Sequence, residues 1–137
     1  MKVTTTNLKQ FYFRISTVVG LILTATVASP AFALSPSTFQ YSCRDISLHS
    51  NVLSATCRKI NGSDKRTTVV LRGINNRNGL LVDDGGNSPA SFQDSCYSAI
   101  VIVDELSATC AKINRAEAIF SKIKIRGIRN EDGNLKY

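Results

Sequence analysis

The chain has 137 residues, with 17 Lys and Arg against 10 Asp and Glu, one His, four Cys and no Trp. With the first 33 positions set aside, the remaining 104 residues allow one compact domain and are too few for two independent cores. Of the basic residues, Lys2, Lys9 and Arg14 stand in the first 33 positions with no acidic partner; the other 14 face the 10 acids, a net charge of +4 with no run of Lys or Arg, which points away from nucleic acid as a partner.

The N-terminal segment reads as a secretory signal peptide over residues 1–33. A basic end leads into an apolar run from Ile15 to Val27, then Pro30 and the small-residue pattern Ala31-Phe32-Ala33 that precedes a cleavage point. The run of about 13 residues falls short of the roughly 20 that a bilayer-spanning helix needs. No Cys follows Ala33 to accept a lipid anchor. The expected product is a single domain, residues 34–137, without a membrane span and secreted or periplasmic after cleavage near Ala33.

Beyond Ala33 the chain is a duplication. Residues 35–61 (SPSTFQYSCRDISLHSNVLSATCRKIN) and 88–114 (SPASFQDSCYSAIVIVDELSATCAKIN) align without a gap and are identical at 14 of 27 positions. A one-residue shift then aligns TTVVLRGINNRNG (67–79) with SKIKIRGIRNEDG (121–133). Repeat one runs over 35–84 and repeat two over 88–137; neither alone offers enough apolar surface for a core, so the two must share one.

The local pattern is strand. Leu53, Ala55 and Cys57 alternate with Ser54, Thr56 and Arg58, and Leu106, Ala108 and Cys110 alternate in the same way. Ile123 and Ile125 alternate with Lys122, Lys124 and Arg126, as Val69 and Leu71 do in the first repeat. Asn61-Gly62, Asn78-Gly79 and Asp132-Gly133 suit turn positions of positive φ. The four Cys fit an oxidising compartment, and among three possible pairings the equal spacing selects Cys43–Cys57 and Cys96–Cys110. Zinc would need ligands two to four residues apart, and no such pair occurs. The stretch Val82-Asp83-Asp84-Gly85-Gly86-Asn87-Ser88-Pro89 lacks the ligand spacing of a calcium loop and reads as a flexible linker, a place where halves could exchange between chains.

No enzyme signature is present. The sole His, His49, corresponds to Ile102 in the second repeat and has no marked nucleophile or orienting group beside it. No catalytic residue, metal or cofactor is expected.

The ordered set Phe39, Cys43, Leu53, Ala55, Cys57, its copy Phe92, Cys96, Leu106, Ala108, Cys110, and the closing stretch from Asn130 to Tyr137 resembles the cyanovirin-N family. The resemblance implies an all-β, pseudo-twofold fold of triple-stranded sheets and β-hairpins exchanged between repeats. It also implies a non-enzymatic lectin for mannose-rich, α1-2-linked glycans with one pocket per half, as a monomer or a domain-swapped dimer. By position, one pocket would use Ser42, Asn61, Asn130 and Asp132, with Thr38, Tyr41, Arg58, Ile60 and Gly62 around them. The other would use Asn75, Asn76, Asn78, Asp94, Ser95, Lys112 and Arg115, with Ser91, Ala111 and Ile113. Side chains of these types offer the fixed donors and acceptors that bridge adjacent sugar hydroxyls. The family pattern has an acid where Asn75 stands and an Arg where Ile113 stands, and Gln, Glu and Thr where Tyr41, Arg58 and Ile60 stand. A binding module for an anionic polysaccharide, met by Lys122, Lys124 and Arg126, or for a protein partner is the alternative.

Overall fold

The computed structural model describes residues 35–137; the signal-peptide reading and its cleavage point fall outside the described residues. Among the described residues ten strands form two triple-stranded sheets and two hairpins, all antiparallel. The first sheet contains β1 (Cys43–His49), β2 (Val52–Arg58) and β3 (Asp64–Val70); β4 (Ile74–Arg77) and β5 (Leu80–Asp83) make a hairpin. The second repeat gives β6 (Cys96–Ile102), β7 (Glu105–Ala111) and β8 (Ala118–Lys124), then the hairpin β9 (Arg129–Glu131) and β10 (Asn134–Lys136). A 3₁₀ turn, Phe39–Tyr41 or Phe92–Asp94, precedes each sheet. No helix among the described residues is long and apolar enough to cross a membrane.

Each hairpin packs on the sheet of the other repeat: β5 lies against β8, and β10 against β3. A strand hydroxyl pins each one. Leu81 N–H donates to Ser121 Oγ at 2.9 Å, and Leu135 N–H donates to Thr67 Oγ1 at 3.2 Å. The exchange builds the shared core that neither repeat could make alone, and its members come in pairs. Phe39 and Phe92, Leu53 and Leu106, Leu71 and Ile125, Ile74 and Ile128, and Leu81 and Leu135 are all buried. Burying each such side chain contributes about 1.5–3 kcal/mol before the ordering cost.

The disulfides Cys43–Cys57 and Cys96–Cys110 link directly opposed residues on neighbouring strands, β1 to β2 and β6 to β7. Just beyond each Cys the register slips: Asp45 and Ile46 together oppose Ala55, and Ser98 and Ala99 together oppose Ala108. These bulges, with Asp45 and Ser98 at φ +52° and +54°, break the period-two pattern of β1 and β6. The hairpin turns Asn78-Gly79 and Asp132-Gly133 have positive φ at both residues, as a two-residue turn between twisted strands requires. At Asn61-Gly62 only Gly62 is positive, because Asn61 instead folds a five-residue loop by accepting from Ser63 N–H and Oγ. The matching loop, residues 112–117, is one residue longer and places Arg115 at φ +54° where the first repeat has Gly62.

The stretch 82–89 is not the flexible linker its composition suggests. Val82 and Asp83 end β5, Asp84 N–H donates to Gly73 O at 2.8 Å, and Gly73 N–H donates to Ser88 O at 3.0 Å. A β-bridge between Arg72 and Pro89 completes the attachment. Gly73 makes this possible: a Cβ there would stand 3.0 Å from Gly86 O.

The outer faces of the two sheets differ. Arg44, Ser47, His49 and Arg66 on the first are replaced by Tyr97, Ile100, Ile102 and Phe120 on the second, where all four are more than half exposed.

Candidate functional site

The exchanged hairpins bring together residues far apart in the chain, twice over and in the same geometry. In the terminal half, Asn130 at the start of the β9–β10 hairpin is half-buried. Its Nδ2 donates to Ser42 Oγ at 3.0 Å and to Arg58 O at 2.8 Å, while its Oδ1 accepts from Gly133 N–H at 2.8 Å. Asp132 at the hairpin tip accepts from Ile60 N–H at 3.0 Å. In the mid-chain half, Asn76 Nδ2 donates to Ser95 Oγ and to Ala111 O, both at 2.8 Å, and its Oδ1 accepts from Gly79 N–H at 2.8 Å. Asn78 accepts from Ile113 N–H at 3.1 Å.

Each Asn therefore uses both ends of its amide to lock a hairpin turn onto the strand ends of the other repeat. The lock fixes the surrounding groups rather than consuming them. Each serine hydroxyl accepts the Asn bond and keeps its own proton to donate; Asp132 retains a second carboxylate oxygen, and Asn78 retains its amide hydrogens. The two sites differ in sign: the terminal one carries a carboxylate at the tip, the mid-chain one a neutral amide.

Clefts open beside both locks. One of about 230 Å³ is lined by Asn76, Asn78, Ser95, Ala111, Lys112, Ile113 and Arg115. Another of about 280 Å³ is lined by Tyr41, Ser42, Cys43, Arg44 and Arg58, with Tyr41 83% exposed and free of any packing role. Lys112 reaches across its loop to Glu117, and Arg44 pairs with Asp64 at 2.7 Å. That bond to Arg44 holds the Asp64 carboxyl below its ordinary range.

The remaining sequence candidates lie elsewhere. Asn75 joins Asp84, Gly73 and Ser91 in a network beneath the β4–β5 hairpin, accepting from Ser91 Oγ at 2.7 Å. Asn61 shapes its own loop. Asp94 lines a third cleft, about 410 Å³, with Leu48, Ser50, Gln93, Cys96, Tyr97, Ser98 and Ala99. Sequence reasoning passed over Arg44 and Tyr97; both stand beside a bulge, where alternation no longer tells which face a side chain takes. Of the basic trio, Lys122 and Lys124 on β8 pair with Glu105 at 2.9 Å and with Asp104 at 2.6 Å, while Arg126 lies past the end of β8 in a β-bridge with Pro36.

The family model of the CVNH domain matches residues 39–136, so the chain belongs to the CVNH family. Members are carbohydrate-binding lectins and not enzymes, and that is the class of this protein. No curated protein matches the chain. Among solved structures, the MoCVNH-LysM module of the rice blast fungus Magnaporthe oryzae is 19% identical with a TM-score of 0.64, covering 75% of this chain and 98% of that one. A MoCVNH3 variant solved in complex with (N-GlcNAc)4 is 19% identical with a TM-score of 0.60, covering 74% and 97%. Microvirin, solved as a mannobiose complex, is 24% identical with a TM-score of 0.56, covering 74% and 97%. These likenesses are of fold.

Proposed function

We propose that this protein is a secreted lectin that recognises mannose-rich oligosaccharides, α1-2-linked mannose ends in particular, through one cleft in each half. The observation that carries the reading is the repeated lock of Asn130 on Ser42 and Asn76 on Ser95, which fixes uncharged donors and acceptors at the mouth of two clefts. Neutral sugars are read by such pre-set hydrogen bonds, because little ordering remains to be paid for on binding. The complexes of microvirin with mannobiose and of the MoCVNH3 variant with (N-GlcNAc)4 support a neutral oligosaccharide as ligand. The anionic alternative is weakened by the pairing of Lys122 with Glu105 and Lys124 with Asp104, which leaves β8 little free positive charge. Residues 1–33 are read as a signal peptide, residues 34–137 as the mature domain, acting as a monomer or as a dimer that exchanges halves near 82–89.

Titrating the labelled mature protein with α1-2 mannobiose at constant salt tests the lectin claim. Amide shifts clustered on Asn76–Asn78, Ser95 and Lys112–Arg115, or on Ser42, Arg58–Asn61 and Asn130–Asp132, are expected. No shift at millimolar sugar would remove the mannose claim. Intact mass of the product from a secreting host tests the leader, with loss of residues 1–33 expected.

A further inference from the structure

We infer that Ile113 and Ile60 set the sugar preference of the two clefts, favouring a hexopyranose that bears a methyl or acetyl group over one bearing hydroxyls alone. This rests on the lectin reading and names the ligand class of the same sites. Ile113 is 85% exposed and Ile60 is 91% exposed, the two most exposed large apolar side chains among the described residues. A single isoleucine in water means little. Here two stand at equivalent positions of the duplicated unit, each beside a lock. Each is also held in place: Ile113 N–H donates to Asn78 at 3.1 Å and Ile60 N–H to Asp132 at 3.0 Å, so the side chain is carried by the turn that closes the site. Ile113 is part of the wall of its cleft.

The chemistry follows from what an isoleucine cannot do. A sugar hydroxyl pressed against it gives up water and gains no hydrogen bond. A methyl at the same place removes apolar surface of both partners from water, which amounts to about fourfold in affinity per methyl group. The polar lock beside it meets the ring hydroxyls, so the mid-chain cleft pairs a hydrogen-bonding wall with an apolar one, and in the terminal half Ile60 stands beside Asp132 at the hairpin tip, outside the lining of the 280 Å³ cleft. That combination suits a sugar with one substituted and several free hydroxyls.

The test compares α1-2 mannobiose with its mono-O-methyl and mono-O-acetyl derivatives and with the N-acetylglucosamine tetramer, binding read from amide shifts. The proteins are the wild type, Ile113→Thr, Ile60→Thr, the double variant, and Ile102→Thr as an exposed control on another face. Thr keeps the β-branch and puts a hydroxyl where the isoleucine methyl groups stood. At least one substituted sugar is expected to bind the wild type about fourfold or more tighter than the parent. The double variant should bring that ratio to about one, and Ile102→Thr should leave it alone. Equal affinity for parent and substituted sugars in the wild type, or a ratio unchanged by the double variant, overturns the inference while the lectin reading stands. Absence of shifts with every sugar removes both.

Discussion

Asn130 donates a 3.0 Å hydrogen bond from Nδ2 to Oγ of Ser42, 88 residues earlier in the chain. Asn76 and Ser95 repeat that bond in the other half at 2.8 Å. One side chain thus secures the exchange of hairpins and shapes a cleft, so fold and site share the same residues. Replacing Asn130 or Asn76 by Ala removes two donated bonds and one accepted turn bond. Each substitution should cost about 1–3 kcal/mol in urea unfolding. Asp in place of either Asn should cost a similar amount, because a carboxylate cannot donate to the carbonyl of Arg58 or Ala111. A wild-type midpoint for the Ala variants would show that the locks contribute nothing.

Gly79 sits at φ +92°, and a Cβ there would stand 3.0 Å from Ile119 Cδ1, across the contact between the exchanged hairpin and β8. Gly79→Ala combines a left-handed penalty with a clash and should destabilise by about 1–2 kcal/mol. Gly62→Ala has positive φ but open space, and should cost no more than the backbone term, about 1 kcal/mol. Thermal melts of the pair separate the two contributions.

Val103 occupies the β6–β7 turn at φ +60°, where the first repeat has Ser50 at +55°. A β-branched residue is disfavoured in that conformation, and this one is 55% exposed, so little packing repays it. Val103→Asn or Val103→Gly is expected to raise stability by roughly 0.5–1 kcal/mol. Denaturant midpoints at or below the wild type would contradict this.

Acid should loosen the terminal hairpin. Bonds from Lys136 and Arg129 hold the Glu131 carboxyl below its ordinary 4.5, and Arg44 holds Asp64 below its ordinary 3.8. With folded values depressed, the unfolded chain takes up protons first as pH falls. The stabilisation is present above those ordinary values and is lost as pH drops through the lower folded ones. Melting temperature should be level near neutral pH and decline through the carboxylate range; Glu131→Gln together with Asp64→Asn should flatten the decline. All three pairs are exposed, so added salt should shrink the effect.

Much of this architecture is visible in the residues. The matched halves, the alternation of Leu53, Ala55 and Cys57 and of their copies, and the positive-φ turns at Asn78-Gly79 and Asp132-Gly133 all follow from local rules of period and turn chemistry. The cyanovirin-N resemblance added the hairpin exchange. Strands β1 and β6 were less legible, since the bulges at Asp45 and Ser98 shift which face later residues take. The linker was misread because Asp and Gly composition reports conformational freedom, whereas Gly73 makes room for a backbone contact from Gly86 that no local pattern records.

The candidate sites divide in the same way. The sequence alone determined that there are two equivalent halves and that turn residues carry the polar groups, because duplication and turn preference are written in residue order. Only the tertiary structure decided which of those groups share a cleft. It joined Asn76 to Ser95 and Asn130 to Ser42, sent Asn75 beneath its hairpin and Asp94 to a third cleft, and left Ile60 and Ile113 in the open. That sorting depends on how each hairpin lies on the opposite sheet, and this is set by burial of Leu81 and Leu135 in a core neither repeat could form alone.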